Sequence, residues 1–139
     1  MTESTLPPSS SSHATIRTVC QIVMWAIVGL KTIWLVMALA FVGLQWQVLG
    51  FGGSLFILAA ATWSFGRGNR TMGIGLTWLG VLVAIAVGYY GGAASGPATD
   101  RIHDQFRTHS ADFIFLAIAH LQYWAVGNTA THPALSNNG

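Results

Sequence analysis

Residues 72–92, MGIGLTWLGVLVAIAVGYYGG, decide the fold. The stretch is uncharged and mostly apolar, and at about 1.5 Å of rise per residue it can cross the roughly 30 Å hydrocarbon core of a bilayer. Within it Gly73, Thr77, Gly80, Ala84, Gly88 and Gly92 recur in steps of three or four, which sets small residues along one helical face. In a lipid-spanning helix such a seam lets a neighbouring backbone approach closely, and Gly88 to Gly92 is a formal GxxxG. The stretch therefore predicts a transmembrane helix that packs through its small residues. Its partner is another segment of this chain, a second copy or a different subunit.

The rest of the composition agrees. Of 139 residues 53% are hydrophobic and 7% charged, where a soluble domain carries about 25% charged residues. With a mean hydropathy of +0.55, the chain reads as one compact domain of membrane helices. Six basic residues, spread singly, give a formal charge of +2 and no basic patch, so nucleic acid is not expected as a partner. Cys20 stands alone, which excludes an internal disulfide and any CxxC-type redox or zinc motif.

Working outward, residues 1–15 contain Pro7, Pro8 and the run Ser9 to Ser12, too little apolar content to order, and read as a disordered cytoplasmic tail. Ala38-Leu39-Ala40 has the small-x-small form of a signal cleavage site, but the leader would be very long and Lys31 would interrupt its apolar core, so cleavage is not expected. Apolar segments at 22–44, 48–65, 72–92 and 110–126 make a four-helix membrane domain over 16–126, with Trp25, Trp46, Tyr89, Tyr90, Tyr123 and Trp124 at interfacial positions. Before the last span, residues 97–107 predict a short amphipathic helix on the membrane surface, Ile102 and Phe106 toward lipid. Residues 127–139 read as a second disordered tail. The loop 66–70 carries Arg67 and Arg70 and is cytoplasmic by the positive-inside rule, which sets both termini on the cytoplasmic side of an inner membrane.

Few residues offer chemistry. Lys31 lies within a span, where an ionisable side chain costs roughly 2.5–3.5 kcal/mol to insert and is a functional hypothesis by default. Counting down from the outer turns at Gln45 and His109 gives Lys31 and His120 similar depths, about 21 and 17 Å, so the two form a candidate intramembrane polar pair that could relay protons or bind an anion. The plainer alternative has Lys31 snorkelling to the surface while His120 hydrogen-bonds a neighbouring helix. His109 and His120 share a helical face, but a bis-histidine haem needs ligands on different helices and the first three spans contain no histidine; no cofactor is assigned. Asp100, His103, Asp104, His109 and Asp112 have permissive one-turn spacings for a metal, yet a solvated loop with local ion pairs explains them equally, and no metal ligand is assigned. GxSxG, Walker and HExxH motifs are absent, so catalysis is not expected.

At Trp63-Ser64-Phe65-Gly66-Arg67, with apolar glycine-rich runs on either side, the sequence resembles the hydrophobic hairpin of type IV secretion (conjugative) pilins. The resemblance covers about residues 50–92 and implies two apolar helices joined by a basic cytoplasmic loop, preceded by a leader ending near Ala40. Lys31 and the 47 residues beyond Gly92 depart from that pattern.

The sequence thus predicts an all-α polytopic membrane protein with four transmembrane helices, acting as a small non-catalytic subunit that packs within a larger respiratory, photosynthetic or secretory complex. Its expected partners are membrane lipid and other integral subunits or copies of itself. Alternatives are a pilin-like or channel component of a secretion system, a small homo-oligomeric transporter using Lys31 and His120, and a membrane immunity or exclusion protein.

Overall fold

A computed structural model of the chain describes residues 10–91 and 109–129. They form four helices: α1 (Ser10–Val42), α2 (Trp46–Gly66), α3 (Arg70–Gly91) and α4 (Ser110–Thr129). Three of them, α1, α2 and α3, are long and apolar enough to cross a membrane. The apolar run of α4 is interrupted by Asp112, His120 and Gln122. The expected surface helix at 97–107, the seam residue Gly92 and the outer parts of both tails lie outside the described residues.

Two glycine turns make the first three helices antiparallel. Gly43, at φ 82°, takes the left-handed position that ends α1, its N–H reaching Leu39 O at 3.2 Å. Gly68, at φ 81°, does the same after α2, where Gly68 N donates to Phe65 O at 2.9 Å and Asn69 N to Ser64 O at 3.0 Å, the paired bonds of a Schellman cap. Asn69 then caps α3, its Oδ1 accepting from Met72 N at 3.2 Å. α1 packs against α2 and α4, and α3 against the same two, so the helices form a four-membered antiparallel bundle. Its core is Met24 and Val28 from α1, Leu55, Leu58 and Phe65 from α2, Val81 from α3, and Phe115 and Ala119 from α4.

α1 starts at Ser10 rather than near residue 22, and the contacts of its first turns explain the extension. Arg17 Nη2 donates to Gly66 O at 3.1 Å, satisfying a carbonyl at the end of α2, and the His13 ring lies 5.3 Å from that of Trp124. One turn on, Gln21 Nε2 donates to Thr62 O at 2.8 Å and Gln21 Oε1 accepts from Gln122 Nε2 at 3.3 Å, so one amide layer ties α1, α2 and α4 together. Arg67 stacks over Trp63 and Arg70 over Tyr123 at this same end of the bundle. At the opposite end α1 outruns α4. Most of its residues beyond Lys31, among them Ile33, Val36, Met37 and Phe41, are exposed, while Leu35 and Ala38 are half-buried.

Candidate functional site

Lys31 sits part-way along α1, level with the first turn of α4 rather than with its middle. There its Nζ donates to Asp112 Oδ1 in a direct ion pair. The other carboxylate oxygen, Oδ2, lies 3.0 Å from His109 Nδ1. Local backbone sets this up: His109 O accepts from Asp112 N at 2.9 Å and Phe113 N at 3.1 Å, opening α4 at His109 and placing Asp112 one turn further on. A carboxylate in a first helical turn also faces the positive end of the helix dipole.

Asp112 and His109 are each 1% exposed, while Lys31 keeps 22%. An ionised carboxylate can only accept, so this contact calls for a proton on His109 Nδ1. His109 Nε2 is buried and has no hydrogen-bond partner among the described residues.

The trio closes one end of a cavity of about 210 Å³. Its walls are apolar, built from Leu30, Trp34 and Leu35 on α1 and Phe51 and Leu55 on α2. The Phe51 ring stands 6.0 Å from Trp34, edge to face, and 6.0 Å from His109, tilted by 31°. Two of the lining residues, Leu30 and Trp34, are also exposed on α1. Phe51 and Leu55 lie five and nine residues into α2 from Trp46, a depth of about 8–14 Å.

No family model, curated protein or solved structure matches the chain. The reading of its function rests on the site itself.

The small-residue seam has its partner within the chain. A Cβ on Gly73 would come within 2.8 Å of the Phe65 ring, and one on Gly80 within 2.8 Å of Leu58, so α3 lies directly on α2 at these positions. Thr77 and Ala84 are fully buried, Ser54 Oγ donates to Gly80 O at 2.8 Å, and Gly88 is half-buried. The seam is thus used inside the bundle, from Gly73 through Ala84.

Lys31 and His120 are not brought together. His120 is exposed, its Nδ1 2.9 Å from Leu116 O and its ring 5.9 Å from Trp78, eight residues along α4 from Asp112, or about 12 Å. The depth count assumed that α1 ends and α4 begins at one outer boundary, whereas α4 starts level with Lys31. Of the five candidate metal ligands, His109 and Asp112 meet; Asp100, His103 and Asp104 lie outside the described residues, and the described ones contain no group of three His, Cys, Asp or Glu able to hold a metal. The sequence places Asp112 only among the permissive metal spacings, and its pairing with Lys31 is what that reading lacks. The signal for it was present: Asp112 is the one acidic residue inside the four apolar segments, and Lys31 the one basic residue inside them.

Proposed function

We propose that this chain is a four-span membrane protein that binds a small lipophilic molecule in the cavity closed by Lys31, Asp112 and His109. In this reading α4 crosses the bilayer with α1, α2 and α3, and both termini lie on the cytoplasmic side of an inner membrane, where Arg17, Arg67 and Arg70 gather as the positive-inside rule requires. The observation that carries the reading is the cavity of about 210 Å³ itself, apolar over most of its wall and lined at the same time by the ion-paired Lys31 and Asp112 and by the buried His109. Ionisable groups at membrane depth are costly and mark functional positions. A purely structural ion pair could be replaced by apolar residues at little or no loss of stability. Binding is favoured over conduction because the core beyond the site is closed by Met24, Leu58 and Phe115, all fully buried. The role is non-catalytic.

A thermal-shift screen of small lipophilic molecules tests this, run on the purified wild type and on Ala111→Phe, which places a ring at the cavity wall. The expected result is a set of molecules that raise Tm in the wild type alone. A library containing no such molecule contradicts the reading.

A second reading keeps the chain as a small subunit of a larger membrane complex. It is favoured by the exposed outer stretch of α1, Ile33 to Phe41, which no described helix covers over most of its faces. Gentle extraction followed by native separation and mass spectrometry decides it: stoichiometric company of other subunits supports it, and migration of the chain alone removes it.

A further inference from the structure

We infer that the arginine end of the bundle holds an anionic phospholipid, its headgroup phosphate taken by Arg17, Arg67 and Arg70; this rests on the membrane-spanning reading above and not on the cavity. Three separate places in the chain bring these cations to one end: the first turns of α1, the turn after α2 and the start of α3. Arg17 Nη2 donates to Gly66 O at 3.1 Å, next in sequence to Arg67, and Arg70 closes the same short turn. The described residues hold one acidic side chain, Asp112, and it is spent on Lys31 in the first turn of α4, whereas this end receives the last turns of α4. Elsewhere the sequence offers Glu3, and Asp100 and Asp104, which alternate with Arg101 and Arg107. With those pairs cancelled, the three arginines and Glu3 account for the whole formal charge of +2. The chain's excess of positive charge is thus gathered at one end.

The surroundings of the arginines select a lipid over a soluble anion. Guanidinium groups match phosphate oxygens through paired N–H donors and stay charged in partly desolvated places. Arg67 lies 5.3 Å from the centroid of the Trp63 ring and Arg70 5.1 Å from that of Tyr123. Both rings, and Trp124 beside Tyr123, are exposed. Exposed Trp and Tyr side chains at helix ends belong at the headgroup level of a bilayer, so the cations held by these rings are set where lipid phosphates lie. Met72 and Leu79 on α3 and Leu121 on α4 are exposed further along the same helices, an apolar surface for acyl chains. Basic clusters between transmembrane helices on the cytoplasmic side recognise anionic headgroups. In a zwitterionic lipid the phosphate is balanced by its own choline, so a surplus of positive charge favours the anionic lipid.

The test is native mass spectrometry of the full chain in detergent micelles, titrated with phosphatidylglycerol or with phosphatidylcholine carrying the same acyl chains. Each basic residue near an anionic headgroup favours it by about fivefold. The first phosphatidylglycerol should therefore bind more tightly than the first phosphatidylcholine by about tenfold or more. A triple variant, Arg17→Gln with Arg67→Gln and Arg70→Gln, should bring the two lipids level. A double variant, Arg101→Gln with Arg107→Gln, should keep the wild-type preference. Equal affinities for the two lipids in the wild type would overturn the inference, as would loss of the preference in the double variant, and either result leaves the membrane reading standing. A chain that stays in solution without detergent or lipid would remove the membrane reading as well. Where the triple variant does not fold, the wild type and the double variant decide the matter.

Discussion

α1 and α4 meet at two polar levels, and the levels differ in kind. Gln21 pairs with Gln122, and ten residues along each helix Lys31 pairs with Asp112, a separation of about 15 Å. The amide level is neutral and runs on through Gln21 to the Thr62 carbonyl, knitting three helices together. The charged level gathers a cation, a carboxylate and an imidazole around a cavity. Each level has a buried polar atom without a partner among the described residues, Gln122 Oε1 in one and His109 Nε2 in the other, but of these two residues only His109 lines that cavity. Amides that bridge helices are sufficient to fix their register. A charged network that opens onto an apolar chamber goes beyond that need, and this is why the function is placed there.

The contrast can be broken most severely at Asp112. Asp112→Leu strands the Lys31 ammonium and removes the acceptor from His109 Nδ1, and should cost about 3 kcal/mol in reversible SDS unfolding. Adding Lys31→Met should recover the part owed to the stranded ammonium, leaving about 1–3 kcal/mol for the buried His109 Nδ1 that still lacks its acceptor. No recovery in the double variant would mean that the network is structural in the same sense as the amides.

Away from both levels, Gly80→Ala probes the α2–α3 contact. Its new Cβ would stand 2.8 and 3.0 Å from Leu58 side-chain atoms and 3.3 Å from Ile57, and the overpacking should cost about 1–3 kcal/mol by the same assay. Full stability would show that α3 does not lie on α2 as closely as described. Gln122→Leu removes one neutral bridge and should cost about 0.6–1 kcal/mol, without changing ligand binding at the cavity. A loss of binding on that substitution would merge the two levels into one. His120→Phe should be smallest, within about 0.5 kcal/mol, because the ring is exposed and bonds only to its own helix. A cost matching that of Asp112→Leu would restore His120 to the site.

The seam and the site were legible to different degrees. Gly73, Thr77, Gly80 and Ala84 repeat at helical spacing, and spacing is a local property that survives folding, so a packing face could be read directly. Which helix fills the face is a matter of topology, and the short turns at Gly43 and Gly68 make α2 the neighbour. Lys31 was legible as an unusual residue because its insertion cost is independent of its partner. Its partner was not, because equal depth was measured from ends assumed to be level, and the start of α4 beside Lys31 depends on packing that no local pattern encodes. The early start of α1 was hidden in the same way: Arg17 and Gln21 are ordered by carbonyls at the far end of α2.

The most direct measurement is the nitrogen-15 spectrum of His109 in the full chain reconstituted in nanodiscs, assigned by comparison with His109→Leu. The structure predicts a protonated, pyrrole-type Nδ1 bonded to the Asp112 carboxylate. A bare, pyridine-type Nδ1 would contradict it, because the pair that joins His109 to Asp112 and through it to Lys31 would then not exist.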